Sequence, residues 1–452
     1  KRKLPAPPFT TSSLQQEAGR KLNFTTQKTM QVVQQLYEGI DLENEGTQGL
    51  VTYIRTDSVR ISDEAMAAVR EYIPQRFGAE YLPEVPNEFK GRRNAQDAHE
   101  AIRPTDVTRT PESIKGSLTK EQFQLYRLIY SRFIASQMKP ALYDTLSMDV
   151  EGAGVGLRFY GEHKRFAGFT SVYEESVEEG AEVAESTLPS FKEGDPVVVE
   201  SVSSDQHFTQ PPPRYNEASL IKAMEEMGVG RPSTYAPTIA TVISRDYAQR
   251  EKKVLSPTPL GETVNQVMTE NFKDIVNVKF TAAMEDNLEK VAEGTVNWVN
   301  IVRDFYGDFA QTLAQADKKF EGIKIKVPEE VTDIICEKCG RNMVIRNGKN
   351  GKFLACPGFP QCRNTKSILI ETPGKCPICG ARVIEKKTRK GKTYYACEHV
   401  PQCTFMTWDK PLADTCPQCG NTLFREVRRG GKTHCLKDGC GFEKQQDKKH
   451  ED

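Results

Sequence analysis

CEKCGRNMVIRNGKNGKFLACPGFPQC, residues 336–362, sets four cysteines at Cys336–x2–Cys339–x16–Cys356–x5–Cys362. The pattern returns as Cys376–x2–Cys379–x17–Cys397–x5–Cys403, and again as Cys416–x2–Cys419–x15–Cys435–x4–Cys440. A CxxC turn puts two thiolates on one side of a knuckle, and a β-hairpin brings the second pair across to complete a tetrahedron. Each unit is too short to hold an apolar core, so bound metal supplies its folding energy. Four thiolates select zinc over magnesium or calcium. Iron in a rubredoxin-like site is the alternative, and three repeats interspersed with basic residues argue against it. His399 and His434 adjoin ligand cysteines, but each unit already has its four thiolates.

Working outward, all twelve cysteines follow residue 335, which is a metal-binding pattern of a reducing compartment rather than a secreted disulfide framework. The 452 residues suggest about three domains. Their 62 basic and 62 acidic side chains conceal an asymmetry. Residues 331–452 hold 23 Lys/Arg and 13 Asp/Glu, a net of +10, whereas residues 1–330 hold 39 and 49, a net of −10. The basic tail is therefore where a polyanion would be held. Its cations include Arg341, Arg346, Lys349 and Lys352, the run Glu385 to Lys390, and Arg425, Arg428, Arg429 and Lys432. Phe353, Phe359, Tyr394, Phe405, Trp408, Phe424 and Phe442 are interleaved with them, a composition suited to single-stranded nucleic acid. Phe405 and Trp408 could equally be small cores of their modules. No apolar run approaches the roughly 18 residues of a membrane span. The opening KRKLPAPPFTTSS has no apolar centre, so it is not a secretion signal, and with no initiator Met it reads as cut from a longer chain.

The body alternates helical and β periodicity. Ser13, with Gln16 at the reciprocal position, is expected to cap a first helix; Thr26 to Tyr37 forms a second. Ser62 caps a third that carries Pro74 near its end, and Thr119 to Met138 a fourth. The apolar face of the fourth holds Phe123, Leu125, Leu128, Ile129, Phe133 and Ile134. From Leu142 to about residue 211 the period is two, DPVVVESVSS included, and Pro211 to Pro213 mark a boundary. A helix, a glycine turn, a Pro-started helix at RPSTYAPTI and the hairpin-like KKVLSPTPLG then resemble a winged-helix element, followed by two more helices to about Phe320.

TYIRTDS, Thr52 to Ser58, is read as the end of a short strand, LVTYIRT, with Tyr53, Arg55 and Asp57 on one face. A guanidinium beside a phenol suits attack on phosphate, because it favours phenolate and grips phosphate in a bidentate fork. The same residues fit a structural Tyr at a domain interface equally well. His99, in AQDAHEAIRPT, read alone is a satisfied interior group.

GLVTYIRTDSVRIS, then AHEAIRPTD, then EASLIKAMEEMGVGRPSTYAPTI and the string of four-cysteine fingers resemble, in order and over nearly the whole chain, bacterial DNA topoisomerase I of the type IA family. The resemblance implies a multidomain α+β fold, a toroidal type IA core with helical and winged-helix-like domains and a β-rich gate, followed by three four-cysteine zinc-ribbon modules. On that reading residues 1–12 end the gate segment, 13–139 form the helical domain with the nucleophile, 140–211 the β-rich gate and 212–325 the helical DNA-groove domain. Residues 331–366, 371–408 and 413–445 are the zinc fingers. It implies Tyr53 as the nucleophile forming a 5′-phosphotyrosyl bond, Arg55 holding the scissile phosphate and His99 assisting in positioning and proton handling. Asp57, Arg103, Arg231, Ser233, Thr234 and Tyr235 would contact DNA. The cofactors implied are three structural Zn2+ and a Mg2+, with no ATP. The partners implied are single-stranded and negatively supercoiled duplex DNA, with RNA polymerase as a contact of the tail. The protein would be a monomer in the bacterial cytoplasm, associated with the nucleoid and not with a membrane.

One part of the family pattern is missing. Its Toprim domain carries a DxDxE metal cluster, yet 52 residues precede Tyr53 and no Asp-x-Asp occurs anywhere. The expectation is a C-terminal fragment unable to relax DNA alone, with Mg2+ held by the Toprim domain. A zinc-ribbon module that binds single-stranded DNA without catalysis is the competing reading. A tyrosine recombinase fits the residue order less well.

Overall fold

Four helices in the computed structural model, α1 (Thr11–Leu22), α2 (Thr26–Glu38), α3 (Asp63–Phe77) and α4 (Lys120–Ser136), surround one apolar core. The structure describes all residues except 44, 92–98, 153, 176–187, 199–200, 324, 349–350, 369, 389–391, 428–430 and 445–452. The chain divides into two compact units, Lys1–Lys326 and Val327–Asp452.

In the first unit each core helix starts on a hydroxyl that satisfies the orphan amides of its first turn. Thr25, Ser62 and Thr119 cap α2, α3 and α4. The cap of α1 is Thr10 rather than Ser13: Thr10 Oγ1 accepts from Ser13 N at 3.3 Å, and Ser13 Oγ accepts from Thr10 N at 2.9 Å. Ser13 is thus the reciprocal member of the box, and the helix begins three residues earlier than expected. On α4, Leu125, Leu128, Ile129, Phe133 and Ile134 are buried with Phe9, Leu14, Leu36, Leu50, Ile54 and Ile102. Each such side chain contributes roughly 1.5–3 kcal/mol, so this face anchors the helix; Phe123 lies only half-buried at its start.

A short hairpin, β2 (Ile40–Leu42) and β3 (Gly46–Gln48), follows α2, numbered after β1 (Arg2–Lys3) at the N-terminus. After α4, β4 (Ala141–Gly152) and β5 (Val155–Phe166) form a long antiparallel hairpin, to which β1 adds through Arg2↔Leu142 and Lys3↔Ala141. Strand structure was expected to run on to about residue 211. Among the described residues it ends at Phe166 before the next domain, and the described residues of DPVVVESVSS are not paired. Val197, Val198 and Val202 are exposed there: apolar alternation makes a strand only where an edge offers hydrogen bonds.

Helices α5 (Glu217–Glu226) and α6 (Tyr235–Ser244), the ribbon β6 (Ala248–Glu251) with β7 (Val254–Pro257), and α7 (Pro259–Asn271) come next. The Pro-started helix is α7, capped by Thr258 with Pro259 in its first turn. Helix α6 instead starts at Tyr235, because Pro232 sits in a turn closed by Thr234 N donating to Arg231 O. Carboxylates of α5 bind it to the first two helices. Glu225 accepts from Ser12 Oγ at 2.7 Å and Gln16 Nε2 at 3.4 Å. Glu217 accepts from Thr26 N at 2.7 Å and Thr26 Oγ1 at 2.9 Å, covering the start of α2, and also pairs with Arg250. Helices α8 (Val278–Ala292) and α9 (Trp298–Phe320) complete the unit, with Phe272, Phe280, Phe305 and Phe309 in ring contact.

The second unit holds three four-stranded antiparallel ribbons, spanning residues 330–367, 370–407 and 410–444. Ribbons two and three share a core: Phe424 and Leu436 of the third pack among Cys376, Val383, Tyr395, Cys397, Cys403 and Phe405 of the second. The architecture is mixed α+β. The closed toroid expected from the resemblance is not formed by the described residues, and none of their sheets closes into a barrel. No described helix is long and apolar enough to cross a membrane.

Candidate nucleophile site and metal centres

LVTYIRT was expected to be a strand. It forms a single isolated bridge, Val51↔Pro104, and runs on as irregular chain with bends at Thr52, Ile54 and Arg55. Alternation nevertheless holds. Ile54, Thr56 and Ser58 are buried, Tyr53 and Arg55 are exposed, and Asp57 is half-buried. Two straps replace a sheet ladder. On one side Thr11 Oγ1 donates to Ile54 O at 2.7 Å, and Thr11 N donates to Thr56 O at 2.9 Å. On the other, Thr52 N donates to Arg103 O at 3.0 Å, and Thr52 Oγ1 to Ala101 O at 2.6 Å. Backbone held from both sides leaves Tyr53 exposed among the described residues.

Tyr53 is 40% exposed and lies in two ring contacts. The His99 ring is 5.0 Å away, tilted by 42°, and the Tyr37 ring is 5.8 Å away at 73°, edge to face. The structure therefore brings Tyr53 and His99 together across 46 positions of sequence. Among the described residues Arg55 has no hydrogen-bond or ion-pair partner. Tyr37 was read as the end of an amphipathic helix, where it or Leu36 would complete the apolar side, and not as part of the site; the structure buries Leu36 and leaves Tyr37 exposed.

Arg103 turns inward. Its Nε donates to Glu100 Oε2 at 2.8 Å, and its other nitrogens to Pro104 O and Ser62 Oγ. Glu100 also accepts from Ser62 N at 3.1 Å. Burial would push the Glu100 carboxyl up, but Arg103 and the Ser62 amide together hold it below its ordinary value. Arg103 thus braces the loop that carries His99. Arg231 is also engaged, pairing with Glu289 at 2.7 Å and Asp286 at 3.6 Å and donating to Gly230 O. Ser233 and Thr234 are exposed. Tyr235, expected to contact DNA, is buried with Ile221, Met224 and Ile239 in a local core.

In each ribbon the four Sγ atoms lie within 4.8 Å of one another. In the first ribbon, the approaches of 3.2 Å between Cys339 and Cys356 and 3.7 Å between Cys336 and Cys362 are far beyond a disulfide and match thiolates arranged on a common ion. Knuckle glycines Gly340, Gly380 and Gly420 adopt φ of +72°, +75° and +70°, a conformation that admits no other residue cheaply. The Asn364 amide draws the Cys336 thiol down to about 6, and backbone amides do the same for Cys379 and Cys419. Burial pushes Cys356, Cys397 and Cys435 up to about 12. Four thiolates so close need a cation, and the soft tetrahedral set fits zinc. His434 bonds Asp409 at 3.2 Å instead of joining a cluster, and His399 uses its amide on Cys397 Sγ.

Phe405 and Phe424 are core, whereas Phe359 and Trp408 are 60% and 55% exposed, so Trp408 is not the small core it could have been. Lys349, Lys390, Arg428 and Arg429 lie outside the described residues. Among the described residues the cysteine tetrads are the groups able to hold a metal, and no carboxylate cluster accompanies Tyr53.

A family model described as DNA topoisomerase matches residues 1–303, about two thirds of the chain. The chain belongs to the type IA DNA topoisomerase family. A second model, topoisomerase DNA binding C4 zinc finger, matches residues 333–370, 373–412 and 413–434 of this topoisomerase chain, the last match ending one residue before Cys435. The solved structure of full-length topoisomerase I from Thermotoga maritima is similar, with 38% identity and a TM-score of 0.62. The alignment covers 81% of this topoisomerase chain and 58% of that one, so the chain spans little more than half the length of its relative.

Proposed function

We propose that this chain supplies the nucleophile, strand-passage gate and DNA-holding tail of an enzyme that relaxes negatively supercoiled DNA without ATP. The observation that carries the reading is Tyr53 itself: an exposed phenol on doubly strapped irregular chain, against His99, with the Arg55 guanidinium two residues on and unpaired among the described residues. Tyr53 Oη attacks the phosphorus of a single-stranded segment. A P–O bond to tyrosine forms as the P–O3′ bond breaks; the phenolic proton leaves, and the 3′-oxygen takes one up. Arg55 grips the phosphate, and His99 positions Tyr53 and handles its proton. One phosphodiester is exchanged for another, so the linkage energy is kept and reversal by the 3′-hydroxyl reseals the strand.

The β4–β5 hairpin acts as the gate, completing a toroid with the part of the family fold that lies beyond the matched length. Asp57, Ser233 and Thr234 line the path of the strand, and Arg231 reaches it on leaving Glu289. Arg103 and Tyr235 act from beneath, by bracing the His99 loop and the α6 turn. Mg2+ would be held by the Toprim domain that the family resemblance implies, not by the residues of this chain. The ribbons hold single-stranded DNA through exposed Phe359 and Trp408 and nearby cations, Arg363 lying 5.9 Å from the Phe359 ring. RNA polymerase contact, a monomeric state and a place in the nucleoid follow from the resemblance.

The test is plasmid relaxation by the full-length protein without nucleotide. Wild type relaxes, and Tyr53→Phe does not while binding single-stranded DNA normally. Relaxation by Tyr53→Phe would overturn the proposal.

A further inference from the structure

We infer that Tyr37 is a positioning residue for Tyr53, fixing the direction from which the phenol meets phosphorus; this rests on the function proposed above. Tyr37 stands in the last turn of α2 and is 38% exposed. It does not hold that helix in place. Thr29, Val32, Val33 and Leu36 are the buried face of α2, and Tyr37 is off it. Its ring instead meets Tyr53 edge to face at 5.8 Å, a geometry favoured by the ring quadrupoles.

The chain is built to bring these rings together. Sixteen positions separate them, most spent in the β2–β3 hairpin, and the return is pinned by Leu50 N donating to Leu36 O at 2.8 Å. The returning strand passes directly over the end of α2: a Cβ at Gly49 would lie 2.9 Å from Tyr37 O, so a side chain there would force the two apart. Tyr53, half in solvent and on irregular chain, has few contacts among the described residues that restrict its side-chain rotation. Among the described residues, Tyr37 and His99 are the two rings that do. In-line attack demands such restriction, since a displacement of about 1 Å can lower a rate about 10²-fold.

The experiment is single-turnover cleavage of a single-stranded oligonucleotide by the full-length protein, read as covalent adduct, for Tyr37→Phe, Tyr37→Leu and Tyr37→Ala. Phe keeps the ring and should cleave within about twofold of wild type. Leu fills space without a ring quadrupole and, like Ala, should cleave about tenfold more slowly, on the scale of one lost aromatic pair. Oligonucleotide affinity should stay within about twofold and the shape of the pH–rate profile should not change, because Tyr37 neither binds phosphate nor moves the proton. Wild-type rates in Ala and Leu would overturn the inference. So would failure of Phe, which would mean the hydroxyl acts, or a parallel loss of affinity, which would mean the ring binds DNA. The inference fails alone if the wild-type adduct is on Tyr53 and Tyr37 proves indifferent; an adduct elsewhere would sink the proposed function first.

Discussion

Truncating Phe424 to Ala should loosen two zinc sites, although the residue belongs to one ribbon. Phe424 is fully buried, and its ring lies 5.6 Å from Phe405 of the second ribbon, among Cys376, Cys397 and Cys403. Lys375 N donates to Thr422 Oγ1 at 2.7 Å beneath it, and Gly374 passes so close to Pro411 that a Cβ would sit 2.5 Å from Pro411 Cβ. The first ribbon has a separate core of Cys336, Met343, Leu354 and Cys356. Removing a buried Phe costs about 3–5 kcal/mol. In modules that fold on their metal this loss shows as weaker zinc binding. At about 1.4 kcal/mol per tenfold, an even division of about 3 kcal/mol between two ribbons weakens each site about tenfold. Transfer of zinc to a chromogenic chelator counts the ions as they leave. Wild type should release three slowly; Phe424→Ala should release two faster and the third at the wild-type rate. Acceleration of one ion alone, or of all three, would refute the shared core.

The pairing of Glu100 with Arg103 should show in acid. Because the folded carboxyl is held low, its stabilisation is complete above the ordinary value of 4.5 and is lost as pH falls through the folded value. Glu100→Gln should therefore melt about 2–4 °C below wild type at pH 7, on the scale of one charged hydrogen bond, with the gap closing as the pH falls through the lowered folded value; a gap that persists in strong acid would contradict the ion pair. Arg55→Ala in the full-length protein should slow cleavage about 10²-fold, as loss of a transition-state contact does, and His99→Ala should change the pH–rate profile; an unaltered rate and profile in quenched-flow assays would remove both from the site. The tail, net +10, should bind single-stranded DNA by itself with affinity falling steeply as salt rises. Deleting residues 331–452 should spare cleavage but weaken repeated relaxation, and unchanged binding in a salt titration would make the ribbons bystanders.

The cysteine tetrads could be read from sequence because a knuckle is local: two thiols three positions apart and a glycine at positive φ define each half-site. Apolar spacing likewise marked α2 and α4, and the Ser62 cap marked α3. What could not be read depends on distant partners. LVTYIRT alternates like a strand, yet it is strapped by Thr11 and by the backbone around Arg103 rather than by a ladder. DPVVVESVSS alternates too, and its described residues find no edge. Arg103 was read as facing DNA; Glu100, three residues earlier, takes its charge. Tyr235 looks like a surface aromatic in GRPSTYA, but the turn at Gly228 and Gly230 folds it against Ile221 and Met224. Nor does spacing show that Glu217 and Glu225 would seat α5 on α1 and α2, or that the β2–β3 hairpin would return Tyr53 to Tyr37.

The central claim is that Tyr53 becomes bonded to DNA. The most direct test denatures the full-length protein during cleavage of an end-labelled single strand, digests the trapped complex and maps the linked peptide by mass spectrometry. The account predicts one adduct, on the peptide containing Thr52-Tyr53-Ile54-Arg55, carrying the 5′ side of the broken phosphodiester and leaving a free 3′-hydroxyl. A 3′-phosphotyrosyl linkage, or an adduct on any other tyrosine, would contradict it.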